Sequence, residues 1–136
     1  MISHVFVGVS DFSSAYDFYS DIMQVLGLTL KFNDPEKSWA GWVAPDMPRP
    51  LFAIGKPFNG EKASAGNGQM IALLAPSRAI VDAVYAKALS NGATCDGPPG
   101  LRPHYHPDYY GAYFFDLDGN KLCICCHDAC PFSSKR

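Results

Sequence analysis

One pattern occurs twice in this chain. When His4 is laid over Met70, HVFVGVSDFSSAYDFYSDI falls on MIALLAPSRAIVDAVYAKA, and each copy reads as a short apolar strand, a turn and an amphipathic helix. The two helices carry Phe18-Tyr19 and Val84-Tyr85 and close on Leu26-Gly27 and Asn91-Gly92. The match lies in pattern more than in identities. A duplication of this length makes two half-domains that complete one another, and the cleft between them is the expected place for function.

With 136 residues the chain can bury one real core but not two independent ones, so the halves are not expected to fold separately. Apolar residues make up 48% and charged residues 18%, with a formal charge of −2, which argues against disorder. No basic stripe exists for holding phosphates, so no nucleic-acid partner is expected. The start, MISHVFVGVSDF, has no basic leader, and the strongest apolar run, Met70 to Ala75, is too short to span a bilayer. A soluble cytoplasmic protein with no membrane partner is the expectation. Of five cysteines, four crowd into Cys123, Cys125, Cys126 and Cys130, where neighbours on one strand are poorly placed to pair. They read as thiols in a reducing compartment.

Ile2 to Val9 alternates, with Val5, Val7 and Val9 on one face and His4 and Phe6 on the other. Ser10 or Asp11 is placed to cap a helix in which Ala15, Phe18, Tyr19, Ile22 and Leu26 recur at helical spacing, and Gly27 stops it. Short strands follow at 28–32, 39–43 and 51–54. The glycine-bearing stretch around 56–68 reads as a linker between a first module of about 1–55 and a second of about 69–127, with a polar tail at 128–136. The second module restarts with a strand at 70–74. Ser77 caps a helix with Val81, Val84, Tyr85, Ala88 and Leu89 on its buried face, and a brief strand follows at 93–95. GPPGLRPHYHPDYYGAY opens as a loop and becomes a strand from about Tyr110 to Asp116. Asp118-Gly119 is a hairpin turn. Lys121 to Cys126 is the last strand, with Leu122, Ile124 and Cys126 on one face and Cys123 and Cys125 on the other.

The opening HVFVGVSDFSSAYDFY, the restart GNGQMIALLAP and the closing FFDLDGNKLCICC resemble the vicinal oxygen chelate superfamily, to which glyoxalase I, fosfomycin-resistance thiol transferases, extradiol dioxygenases and bleomycin-binding proteins belong. The resemblance runs from Ile2 to His127, and D-x-D-G-N before an apolar strand is its most specific part. It implies an α+β fold, two βαβββ modules forming a curved mixed sheet around a cleft. It also implies a homodimer, since two-module sheets of this kind share edges or exchange halves.

In metal-dependent members of that superfamily a His on the first strand, a His opening the second half and a Glu on the last strand hold a divalent cation. Carried over, these positions fall on His4, Met70 and Cys123, of which only His4 keeps the usual ligand type. A thioether and a thiol suit Mg²⁺ or Mn²⁺ badly, so no cofactor is expected. The alternatives are Zn or Ni held weakly by His4 and Cys123, or a soft ion such as Cu(I). Loss of the last-strand Glu also removes the usual carbon acid–base group, which puts a standard glyoxalase I reaction in doubt. Cys123 is then either a nucleophile activated by His4 or a small buried thiol packed against Met70.

The segment LRPHYHPDYYGAY is the richest polar constellation, pinned by Pro103 and Pro107. Arg102 is placed to pair a carboxylate or phosphate, His104 or His106 to act as acid or base, and Tyr105, Tyr109 and Tyr110 to stack on a flat ligand. A rigid surface turn whose aromatics cover the core explains the same residues equally well. Trp39 and Trp42 point to opposite faces of one strand, so one lines the cleft; Trp42, with Phe52 and Met70, is taken as ligand wall. Cys123, Cys125, Cys126, His127 and Cys130 include enough ligands for zinc, but strand alternation separates Cys123 from Cys126. Two functions follow: a glyoxalase-like small-molecule enzyme of lyase, isomerase or thiol-transferase type, or a non-catalytic protein that sequesters a flat or cationic ligand. A redox or soft-metal responder built on the terminal cysteines is a third.

Overall fold

Asp11 starts the first helix because its carboxylate accepts the backbone N–H of Ser14 at 3.2 Å and the Ser14 hydroxyl at 3.0 Å. The helix ends at Gly27, whose left-handed φ of 92° lets its N–H reach the carbonyls of Met23 and Gln24. In the computed structural model, which describes residues 1–129, this is α1 (Phe12–Leu26). It lies between β1 (His4–Gly8) and three further strands, β2 (Thr29–Asp34), β3 (Trp39–Val43) and β4 (Leu51–Gly55). The second copy comprises β5 (Ile71–Leu74), α2 (Arg78–Ser90), β6 (Thr94–Leu101), β7 (Tyr110–Phe115) and β8 (Lys121–Cys126).

The two sheets have the same connectivity. The first is ordered β1-β4-β3-β2 and the second β5-β8-β7-β6, each four-stranded, with the β1/β4 and β5/β8 pairs parallel and the rest antiparallel. Each copy is therefore a βαβββ module, the α+β architecture expected from the repeat. The chain divides into compact units between Gly66 and Asn67. No helix among the described residues is long and apolar enough to cross a membrane.

In the first unit α1 buries Ala15, Phe18, Tyr19, Ile22, Met23 and Leu26 against one face of the sheet. Val7 and Val9 point into that core, whereas Phe6 on the opposite face is 49% exposed. In the second unit Ser77 caps α2 through Ile80 N–H at 3.2 Å, and Val81, Val84 and Ala88 form the buried stripe. Tyr85 and Leu89, expected on that stripe, are only half-buried.

Two local expectations change. The brief strand expected at 93–95 runs on to Leu101, through a stretch read as loop, although it contains Pro98 and Pro99. It is an edge strand bonded only to β7, with register shifts on either side of Gly97, so prolines interrupt no central ladder there. Lys56 to Ser64, read as linker, packs on the first unit: Pro57 and Ala63 sit over Gly8, and the Ala63 N–H bonds the Ser10 hydroxyl at 3.1 Å.

The D-x-D-G-N sequence works as a turn built on one carboxylate. Asp116, buried, accepts the backbone N–H groups of Asp118 at 2.9 Å and Asn120 at 2.8 Å and the Asn120 side-chain amide at 2.9 Å. It fixes the β7–β8 register and hence which residues of β8 face which way. Cys130 and the tail beyond it lie outside the described residues.

Candidate functional site

On the first unit, strand alternation turns His4 and Phe6 to the face away from α1. The His4 Nδ1 is 2.9 Å from the Ser3 hydroxyl, so its Nε2 is the nitrogen left for other partners. Trp39 shares that face, 40% exposed, in edge contact with Phe32 at 4.9 Å between centroids. Gly55 makes room for these rings, because a Cβ there would lie 2.9 Å from Phe6 and 3.0 Å from Trp39. Together with the segment from Lys56 to Ser64 they bound an open hollow of about 680 Å³.

Trp42 and Phe52 are not part of this face. Trp42 is 2% exposed, stacked on Tyr16 and tilted against Tyr19, and Phe52 packs on Tyr19 at 5.4 Å. Alternation along β3 sets Trp39 and Trp42 on opposite sides; the aromatic residues of α1 decide which side is core. Trp42, expected as ligand wall, is therefore a core residue, and Trp39 is the ring on the open face.

On the second unit the side chains converge on Cys123. Tyr113 pairs with Cys123 in the β7–β8 register, and Tyr109, just before β7, leans over Gly111, where a Cβ would lie 2.9 Å from its ring. The Tyr109 hydroxyl is 3.4 Å from the Cys123 sulfur and 3.1 Å from the Tyr113 hydroxyl. The Arg102 guanidinium sits 5.5 Å from the Tyr113 ring centre and donates to the Pro98 carbonyl at 2.7 Å.

Cys123 is fully buried, yet its acid constant falls to about 7. The Cys125 thiol does most of this by hydrogen-bonding it; the Tyr109 and Tyr113 hydroxyls and the Arg102 charge add to the effect, and burial opposes it. Cys125 is pushed up, chiefly by the same bond, which makes it the proton-holding member of the pair. Burial, followed by the bond to Cys123, raises Tyr109, so it stays a neutral donor.

A second chain of contacts reaches Cys125. His106 Nδ1 accepts the Asp108 N–H at 3.2 Å, which leaves its Nε2 to donate to His127 Nδ1 at 2.9 Å. That assignment puts the His127 proton on Nε2, 3.8 Å from the Cys125 sulfur. The two imidazoles stack with an interplanar angle of 20°, and Tyr109 meets both edge-on. His127 was singled out in the sequence only among zinc ligands; its neighbour in the strand pattern, Cys125, was the available signal for its present role.

The remaining loop residues divide. His104 stacks on the exposed Tyr105, which in turn touches Tyr109. Tyr110, grouped with Tyr109 in the sequence, turns the other way: its hydroxyl donates to Asp82 of α2 at 2.7 Å and Arg78 lies over its ring. Adjacent residues entering a strand take opposite faces, so Tyr110 serves the helix contact. Met70 precedes β5 and is exposed.

For a metal, the superfamily positions offer an imidazole, a thioether, and a thiol already engaged by a tyrosine hydroxyl. That set does not fit a hard divalent cation. Among the described residues no three His, Cys, Asp or Glu side chains gather in a metal-holding arrangement. The described cysteines, Cys95, Cys123, Cys125 and Cys126, are all free.

Paired βαβββ modules of identical connectivity define a class of duplicated α+β proteins. Residues 1–124 match the model of the Glyoxalase/Bleomycin resistance protein/Dioxygenase superfamily, and the chain belongs to that superfamily. A glyoxalase/bleomycin resistance protein from Albidiferax ferrireducens T118 is similar in structure, with a TM-score of 0.83, 36% identity, and 93% of this chain and 98% of that one covered. A glyoxalase-related enzyme from Fulvimarina pelagi shares the fold at a TM-score of 0.68 and 17% identity, covering 93% and 87% of the two chains. So does a glyoxalase/bleomycin resistance protein/dioxygenase family enzyme from Burkholderia phytofirmans PsJN, at 0.66 and 20%, covering 93% and 98%. No curated protein matches the chain.

Proposed function

We propose that this protein is a glyoxalase-like small-molecule enzyme, of lyase, isomerase or thiol-transferase type, whose titrating group is Cys123. One observation carries the reading: on the strand where the superfamily places a carboxylate, a thiol with an acid constant of about 7 is held by a tyrosine hydroxyl and a second thiol. Such a group has both protonation states available near neutrality, which is what acid–base work at carbon or attack by sulfur requires. As a base the thiolate takes a proton from an activated carbon and returns it from the thiol, with no net redox change. Tyr109 then keeps the sulfur's lone pair engaged in whichever state it holds.

Full burial of Cys123 supports the second reading, a protein that binds and sequesters a small molecule with the thiol as packing. Incubation with enolisable hydroxy-ketones and aldehydes in deuterated water separates the two. Deuterium entering the carbon-bound position in the native protein and not in Cys123→Ala supports the enzyme. Ligand stabilisation retained in Cys123→Ala, with no exchange or thiol transfer in either protein, assigns sequestration. A homodimer belongs to the same proposal, supported by the exposed Leu74 and Met70 at the β5 edge; a monomeric mass by light scattering refutes it.

A further inference from the structure

We propose that the open face of the first sheet binds a small planar aromatic anion, its ring against Phe6 and Trp39 and its negative group met by Lys37, Lys56 and Lys62. The hollow, about 680 Å³, falls in the range that holds a small organic molecule. Its apolar surface is aromatic and half exposed, which in an otherwise ordinary domain marks a place where something is to be covered. The charge around it decides what. Three ammonium groups stand against the single carboxylate of Glu61, and none of the three makes an ion pair among the described residues.

A cationic ligand in that ring of lysines meets repulsion, and a neutral ring gains only the stacking. An aromatic carboxylate gains both stacking and charge-assisted hydrogen bonds. His4 lines the same hollow with Nδ1 bonded to Ser3, leaving Nε2 as a further polar contact. A contiguous concavity of about 390 Å³ shares His4, Phe6 and Trp39 and adds Arg49, so the positive rim continues along the face.

The wall is already built. Lys56 N–H bonds the Ser38 carbonyl at 3.3 Å, Gly60 N–H the Pro57 carbonyl at 2.9 Å, and Ala63 N–H the Ser10 hydroxyl. Ser38, between Lys37 and Trp39, holds a left-handed φ of 54°, a conformation that an L residue adopts only where its surroundings impose it. A preformed wall lowers the ordering cost of binding.

None of these residues belongs to the thiol cluster, so this proposal and the reading of Cys123 fail separately. The test is calorimetric titration of the full chain with naphthoate and, for comparison, naphthamide, which has the same ring and no charge. Naphthoate is expected to bind saturably and at least about tenfold more tightly than naphthamide, with the gap narrowing as salt rises. Lys56→Gln combined with Lys62→Gln, both exposed, should bring the two ligands to within about threefold of each other. Trp39→Leu should weaken both by about tenfold. Equal affinities for the two ligands, or naphthoate binding unchanged in the lysine double variant, overturns the proposal. So does absence of binding heat; if in that case iodide fails to quench Trp39 and the chain has a dimeric mass, a second copy covers the face instead.

Discussion

The hydroxyl of Tyr109 lies 3.4 Å from the sulfur of Cys123, although a hairpin separates the two, Tyr109 standing just before β7 and Cys123 on β8. Hydrogen bonds to a charged acceptor contribute on the order of 1.5–3 kcal/mol, so this contact is large enough to move an acid constant by about a unit or more. Tyr109→Phe is therefore expected to raise the Cys123 acid constant by about one unit. The pH dependence of thiolate absorbance, or of alkylation read by mass spectrometry, measures it. An unchanged profile refutes the role given to the hydroxyl.

Stability should follow the same titration. Cys123 falls from 9.0 to about 7 on folding, and a depressed acid stabilises the folded state where it is ionised there but protonated in the unfolded chain. The contribution is fully present above pH 9.0, declines as pH falls toward about 7, and is lost below that. Urea midpoints compared at the two ends of this window should rise more with pH in the native protein than in Cys123→Ser. Parallel behaviour of the two proteins counts against a depressed thiol.

The two tryptophans should behave oppositely. Trp42→Ala opens a cavity beneath α1 and is expected to cost about 3–5 kcal/mol, whereas Trp39→Ala, on the open face, should cost under about 1 kcal/mol. Chemical denaturation of both variants checks the assignment, and comparable losses would contradict it.

Asp116→Ala removes the acceptor of the Asp118 and Asn120 bonds inside the β7–β8 turn. A loss of about 2–4 kcal/mol is expected, because part-buried N–H groups lose a charged acceptor. Hydrogen exchange at Asp118 and Asn120 should accelerate along with global destabilisation. Protection unchanged at those amides argues against the turn as drawn.

The relay from His106 through His127 carries its own expectation. Removing the second ring in His127→Ala takes away the partner of His106 Nε2 and one partner of the Cys125 sulfur together. Imidazole nitrogen resonances of His106 should shift, and alkylation of Cys123 should change rate at fixed pH. No change in either measurement separates the histidines from the thiols.

Much of the fold was legible because its signals are local. Alternation in HVFVG placed His4 and Phe6 opposite the valines, and helical spacing selected Ala15, Phe18, Tyr19, Ile22 and Leu26 as a core stripe. Asp11, Ser77 and Gly27 mark helix ends by chemistry acting within a few residues. The edge strand β6 was hidden, since Pro98 and Pro99 read as loop until it is known that only one side of that strand is bonded.

By itself, then, the amino-acid order determined the duplicated strand–helix–three-strand plan, the caps and the faces of each strand, because backbone geometry repeats every two or 3.6 residues and needs no distant partner. Tertiary structure alone decided that Trp39 rather than Trp42 is the open ring, that Tyr109 and Tyr110 part company, and that His127 completes a chain from His106 to Cys125. Periodicity says that two side chains lie on opposite sides; which side becomes core depends on what packs there, and that partner is far away in sequence.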